Sequence, residues 1–464
     1  MRPTILACVG AACLAGCAVG PNYRRPSTDT PASYRGLTQE EAAKTDSVSL
    51  GDQKWWEVFQ DKQLQDLIRA ALQKNYDARI AAARVLEAQA QLGITRADQF
   101  PSLSGGADIT SVRNPATGPI PAYTLTEGQV DVSAAWNVDF WGRYRRATEE
   151  ARANLLASEW ARQEVIATLV ANVAGGYFQL RELDLELEIS QRTLASRRES
   201  LELTQDLTEH GIDTMLDQRQ AEELVYTAAA QVPDLERRIE QQENALSILL
   251  GNNPGAIPRG LQLTHEPHPP EVPAGLPASL LERRPDIREA EENLVAANAQ
   301  IGVARAAYFP QISLTGTGGY QSSALENLFT GPAGLWSFAG SLTQPIFEGG
   351  RLRSGVRLAD AQRQEMILTY QQAIQGAFRD VSNALIACRK DREFRIQEEH
   401  LTESAREAAQ LSETRFRAGV TDYLEVLTNE TNYFSDELAL AQAQLNELQA
   451  LVQLYQALGG GWEQ

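Results

Sequence analysis

Residues 90–104 read AQLGITRADQFPSLS, and 209 positions later residues 299–313 read AQIGVARAAYFPQIS. Eight of the fifteen positions are identical, among them Gly93/Gly302, Arg96/Arg305 and Phe100-Pro101/Phe309-Pro310. At an offset of 208 the correspondence continues through Gly142-Arg143 and Gly350-Arg351, Gly211 and Gly419, and Leu250-Gly251 and Leu458-Gly459. A period of this length duplicates a fold-sized unit and excludes a solenoid built on repeats of roughly 20–50 residues. Each copy reads as a helix, short alternating strands, a very long helix, a tight glycine turn and a second long helix.

Beyond each Phe-Pro pair the apolar period falls to two. Val130, Val132, Ala134, Trp136, Val138 and Phe140 alternate with Asp131, Ser133, Ala135, Asn137 and Asp139. In the second copy Ile312, Leu314, Gly316, Gly318 and Tyr320 alternate with Ser313, Thr315, Thr317, Gly319 and Gln321. Residues 103–109 and 336–342 repeat the pattern more weakly, which places strands at about 100–113, 127–141, 309–323 and 334–347. One apolar and one polar face mean that each strand separates two environments. The lengths match the ~9–11 residues of a tilted transmembrane strand. The same pattern also fits half-buried strands of a soluble sandwich. Four strands per chain cannot close a membrane barrel, which starts at about 8.

Before the first strands a helix reads from about Asp61 to Asp98, with Leu64, Leu67, Ile68, Ala71 and Leu72 on one face. After Gly142 and Gly350 the helices become unusually long. The first repeat, 61–251, carries them at 143–208 and 213–250, and the second, 278–464, at 352–417 and 422–458. No proline interrupts 145–208 or 352–418, and in the former only Gly175-Gly176 breaks the pattern. At ~1.5 Å per residue each of these two helices is roughly 95–100 Å long. Leu424, Leu427, Thr431, Phe434, Leu438, Ala441, Leu445, Leu448, Val452 and Tyr455 alternate steps of three and four, a coiled-coil seam. Pro233 lies inside its helix, where a bend is expected. The fold class is mixed and mainly α, with the copies joined by a Pro- and Gly-rich linker at 252–277.

The first sixteen residues read as a signal peptide, with Arg2 ahead of a short apolar core and Leu14-Ala15-Gly16 before Cys17. Residues 17–60 read as an extended segment ending near a docking patch at Trp55-Trp56. Cys8 and Cys13 leave with the signal, so Cys388 alone remains beside Cys17, and packing rather than disulfides holds the fold. No later stretch supplies eighteen uninterrupted apolar residues, so no transmembrane helix is expected. A net charge of −19 with no long basic run excludes nucleic acid as a partner. Phosphate-binding loops and nucleophile elbows are absent, and the carboxylates are spread along helix faces, so no enzyme, cofactor or metal is expected. His265 and His268 sit in the polar linker and read as surface residues.

Three stretches carry a resemblance. They are Leu280-Leu281-Glu282-Arg283-Arg284-Pro285-Asp286-Ile287, then Val232-Pro233-Asp234-Leu235-Glu236 with Leu249-Leu250-Gly251, and Arg415-Phe416-Arg417-Ala418-Gly419-Val420 with Tyr423-Leu424-Glu425. Together with the lipobox-like Leu14-Ala15-Gly16-Cys17 and the terminal Leu458-Gly459-Gly460-Gly461-Trp462, they resemble the TolC-like outer membrane factors, in the lipoprotein branch that serves multidrug efflux pumps. The resemblance implies a homotrimer, a twelve-stranded barrel in outer-membrane lipid and a helical tunnel across the periplasm. It implies acylation at Cys17, and Ala18 in place of Asp fits outer-membrane sorting. It also implies a periplasmic adaptor and an inner-membrane pump as partners, and small molecules such as drugs as cargo. Type I secretion and metal efflux are alternatives within the fold, and a poreless periplasmic scaffold is an alternative outside it. Val130, Val132, Trp136, Val138, Ile312, Leu314 and Tyr320 would face lipid. Gly211 and Gly419 would turn the hairpin tips. Beside them Leu424, Glu425 and Thr428, with Leu216, Asp217 and Gln220, would form the periplasmic gate. Thr428 stands where relatives often carry aspartate, so the acidic ring would rest on Glu425 and Asp217.

Overall fold

A computed structural model describes residues 18–28, 30, 31, 33–36, 49–267, 275 and 277–462. The element order is α1 (Trp55–Val58), α2 (Lys62–Lys74), α3 (Tyr76–Ala97), β1 (Ser102–Asn114), β2 (Tyr123–Val138), α4 (Arg143–Glu209) and α5 (Met215–Leu249). The second copy supplies α6 (Pro277–Arg283), α7 (Pro285–Ala306), β3 (Gln311–Ser322), β4 (Gly334–Thr343), α8 (Arg351–Arg417) and α9 (Tyr423–Ala457). Helix α4 and its repeat partner α8 each run 67 residues, and α5 and α9 each run 35, so the duplication is kept residue for residue. No helix among the described residues is long and apolar enough to cross a membrane.

Three local outcomes differ from the sequence reading. The helix expected over 61–98 is two helices, because Asn75 ends α2 and its side chain accepts from Ala78 N–H while donating to Leu249 O at 2.9 Å. Gly175-Gly176 does not break α4. The bare backbone at Gly176 admits Leu246 and Gln242 of α5, and Gln242 Nε2 donates to Gly176 O at 2.8 Å. The segment before α2 is not wholly extended: a 3₁₀ turn at Leu50–Asp52 precedes α1, and Trp55 is buried there rather than presented. Helix α5 is assigned without interruption through Pro233.

The chain divides into two compact units, and each draws on both repeats. Among the described residues, one contains those of 18–27, 84–159 and 289–371, and the other those of 28–83, 160–288 and 372–462. In the first, the four strands form one antiparallel sheet in the order β1-β2-β3-β4, so the central pairing joins the two repeats. Below the sheet the Trp141 ring stacks on Phe309 at 4.7 Å and its Nε1 donates to Pro310 O at 2.8 Å. Arg25 grips both oxygens of the buried Glu291 at 2.7 and 2.6 Å, tying the N-terminal segment to α7.

The second unit is a set of packed helices. Phe59 meets Phe178 and Tyr455 edge-on, and Leu64, Ile68 and Ala71 bury the inner face of α2. The Arg283-Arg284-Pro285-Asp286 motif has a structural use here. Pro285 opens α7, where its missing N–H costs nothing. The largely buried Arg284 grips Asp286 at 2.9 and 2.6 Å and donates to Ala457 O at the end of α9. Cys388 lies within α8, and burial pushes its thiol up to about 12, so it behaves as a small apolar side chain.

Candidate functional site

The sheet register assembles two chemically distinct faces. Val130 lies opposite Tyr320, Trp136 opposite Leu314 and Val138 opposite Ile312. Val132 lies between Gly105 and Gly318, so all seven residues share one face. The same register adds Leu103 and Ile109 from β1, and Trp336, Phe338 and Leu342 from β4. Much of this face is open: Val132 is 57% exposed, Ile109 69% and Trp336 83%, while Val130, Val138, Ile312 and Leu314 are half-buried. The opposite face carries Ser104, Ser133, Asp131, Gln129, Ser313, Ser341, Gln321 and Glu127, which bond among themselves. Ser104 meets Ser133 at 3.1 Å, Ser313 meets Ser341 at 2.6 Å, and Gln321 donates to Glu127 at 2.8 Å. Strands β1 and β4 form the sheet edges.

The second cluster lies at the two hairpin tips of the helical unit. Gly211 (φ 75°) and Gly419 (φ 69°) both occupy the left-handed region that other residues adopt at a cost. Around each, the helix ends in the same crossed pattern. Gly211 N–H donates to Thr208 O and Ile212 N–H to Leu207 O, while Gly419 N–H donates to Phe416 O and Val420 N–H to Arg415 O. Each return helix is then capped, α5 by Thr214 and α9 by Asp422.

These caps decide what the expected gate residues do. Asp217 closes a capping box, its carboxylate accepting from Thr214 N–H at 2.9 Å and from the Thr214 hydroxyl at 2.6 Å. Glu425 accepts from the Thr421 hydroxyl and pairs with Arg415 at 3.2 Å. Thr428 back-bonds to Leu424 O at 2.8 Å, and Gln220 is half-buried on α5. Leu216 is 65% exposed and Leu424 54%. Although Leu424 starts the coiled-coil seam by spacing, the residues that pack at this end are Tyr423 and Val426. Tyr423, Val426 and Ala221 form a buried knot with Leu201, Phe416 and Leu427 around it. Deeper along α9 the seam closes over Phe434, Ala441, Leu445 and Leu448. The tips therefore present open apolar side chains at Leu216 and Leu424, beside the half-buried and locally bonded carboxylates of Asp217 and Glu425.

Two features escaped the sequence reading. Arg197 of α4 is 2% exposed, donates to Leu224 O at 3.0 Å and lies 4.9 Å over the Phe434 ring, and burial lowers its pKa. Its spacing resembles that of any solvated helix arginine, so only the packing reveals it. Asp61 accepts from Gln63 N–H, Leu261 N–H and the Tyr177 hydroxyl, at 2.7, 3.0 and 2.6 Å. Buried Glu266 of the linker lies against it, with its pKa pushed up to about 8 by burial first and by the Asp61 charge second. The expected acylation site, Cys17, lies outside the described residues.

A family model described as outer membrane efflux protein matches the chain twice, at residues 67–252 and 276–460. The two matches begin 209 residues apart, the offset seen in the sequence. The solvent efflux pump outer membrane protein SrpC of Pseudomonas putida is 38% identical over 455 residues, covering 97% of this chain and 96% of its own. The cation efflux system protein CusC of Escherichia coli is 35% identical, covering 98% of each. Among solved structures, the open state of the Neisseria gonorrhoeae MtrE outer membrane channel superposes with a TM-score of 0.87 at 32% identity, over 96% of this chain and 99% of that one.

Proposed function

The chain belongs to the outer membrane efflux protein family, and from that premise we propose that three copies close its four-stranded sheet into one membrane-spanning barrel. As an outer membrane channel component of an efflux pump, the protein needs a water-filled path through lipid, and one sheet of four strands cannot enclose it. The observation that carries the proposal is the segregation of faces. An open apolar face with a hydrogen-bonded polar face behind it fits lipid outside and an aqueous lumen inside. With β1 and β4 at the edges, β4 of one copy pairs with β1 of the next, and closure leaves no edge exposed.

In this reading Val130, Val132, Trp136, Val138, Ile312, Leu314 and Tyr320 face lipid, and the polar partners line the lumen. The helical hairpins reach the periplasm and take cargo from an adaptor and an inner-membrane pump. Leu216, Asp217 and Gln220 meet Leu424, Glu425 and Thr428 of neighbouring hairpins at the tip, where exposed leucines and carboxylates gather around the axis. The cargo is small molecules such as drugs or solvents. Cys17 is the acylated first residue of the mature chain.

The test combines stoichiometry with conductance. Native mass spectrometry of the purified full chain in detergent should give three copies, and planar bilayers should show discrete channel openings. A monomer without conductance would end the reading in favour of a poreless scaffold.

A further inference from the structure

Charge is distributed unevenly around the sheet. The stretches that flank its helix-side end, 96–102, 138–146, 305–312 and 343–357, hold Arg96, Arg143, Arg145, Arg146, Arg305, Arg351, Arg353 and Arg357. Asp98, Asp139 and Glu348 lie within these stretches and Glu149, Glu150 and Asp360 just beyond them, so the band still carries a net charge of +2 in a chain of −19. At the far end, 112–127 and 320–335 contain Arg113 against Glu127 and Glu326. Four of the eight arginines are engaged locally: Arg145 with Asp139, Arg146 with Glu149, Arg351 with Glu348 and Arg305 with Asp360. Arg96, Arg143, Arg353 and Arg357 make no ion pair among the described residues.

Helices α4 and α8 both begin here, and neither has an acidic residue in its first turn. At α4 the Asp139 carboxylate just ahead of the helix accepts from Tyr144 and Arg145 N–H at 3.2 and 2.9 Å and offsets the local cations. At α8 Arg351 and Arg353 lie at the positive end of the helix and oppose its dipole. The arrangement nonetheless occurs in both repeats, at Arg143-Arg145 and at Arg351-Arg353. Around it lies a girdle of aromatic residues: Phe100, Trp141, Tyr144, Tyr308, Phe309 and Phe347. Phe347 is 89% exposed, and Arg143 lies 5.9 Å over the Tyr144 ring. The apolar sheet face runs directly into this girdle through Leu103, Trp136 and Leu342.

We propose that this arginine band binds the phosphate-bearing headgroups of anionic phospholipids at the helix-side surface of the membrane. The inference rests on the reading that the sheet spans lipid. An apolar band, then aromatic rings, then cations is the order in which acyl chains, interface and phosphates are met along the membrane normal. Guanidinium groups grip phosphate oxygens in pairs, and an anionic surface offsets the dipole opposition at the start of α8.

The test exposes full-length protein in mixed micelles to equal amounts of phosphatidylglycerol and phosphatidylcholine with matched chains, and counts retained lipids by native mass spectrometry. The wild type should retain the anionic lipid about fivefold or more over the zwitterionic one, a preference that falls as salt is raised. Arg143→Gln with Arg353→Gln and Arg357→Gln should bring the ratio near one, while the corresponding Lys variant keeps most of it. Should the Gln variant fail to assemble, the wild-type ratio, its salt dependence and the Lys variant still decide. Equal retention by the wild type, or an unchanged ratio in an assembled Gln variant, overturns the inference and leaves the barrel reading standing. Retention of neither lipid overturns both.

Discussion

At the scale of single residues, the hairpin tips separate groups that hold structure from groups with no local work. Asp217 is committed to its capping box, so Asp217→Asn removes a charge and about 1 kcal/mol of cap together. Glu425 is held only by a half-exposed pair with Arg415 and the Thr421 hydroxyl, and such pairs contribute little to stability. Glu425→Gln should therefore lower cation preference in planar bilayers without loosening the hairpin, and Leu424→Ala should raise leak conductance. Thr214→Ala, which weakens the cap and keeps the carboxylates, should leave selectivity unchanged. Selectivity and conductance unaltered in the first two variants would move the gate elsewhere. Glu266 yields a prediction with a definite sign. Its folded pKa is raised to about 8, so its contribution is fully present below the unfolded carboxyl value of roughly 4.3 and is lost as pH rises through 8. Amide protection factors around residues 260–267, which correct exchange rates for intrinsic base catalysis, should fall across that window in the wild type. In Glu266→Gln the fall should be absent, because the amide stays neutral beside the Asp61 charge.

At the scale of elements, the sheet makes the sharpest claim. Val132 and Ser133 are neighbours on opposite faces of β2. Val132→Arg near the membrane centre should cost ~2–4 kcal/mol of insertion, while Ser133→Arg should be tolerated in an aqueous lumen. Urea titration of folded protein in vesicles measures both, and equal costs would favour a soluble sandwich. This contrast was legible in the sequence because a period of two survives any tertiary context. The long helices were legible for the same reason, since a sustained seam has few alternatives. What could not be read depends on partners distant in the chain. Asn75 breaks a helix by donating to Leu249 O, and Gly176 preserves one by receiving Leu246 and Gln242. The Arg415–Glu425 pair needed the turn to close first. Burial of Arg197 left no trace in spacing at all.

At the scale of the whole molecule, the proposed acyl chain at Cys17 and barrel insertion would be two anchors of unequal strength. If Cys17 is acylated, Cys17→Ser should lose the lipid mass while conductance persists, because a membrane-spanning barrel needs no tether. Mass spectrometry of the mature N-terminus checks this, and an unmodified Cys17 or cleavage at another position would end the idea. The pairing of β2 with β3 has a further consequence. The two repeats are separate in the gene and inseparable in the product, since each compact unit takes segments from both. A ribosome that has finished the first repeat has made the β1–β2 segment, whose inner edge has no neighbour yet, and helices that still lack the packing supplied by α8 and α9. Such long-range closure is slow and leaves strand edges open to aggregation. Export must therefore deliver the chain unfolded and essentially entire, and the interval between emergence and closure is when it most needs an escort.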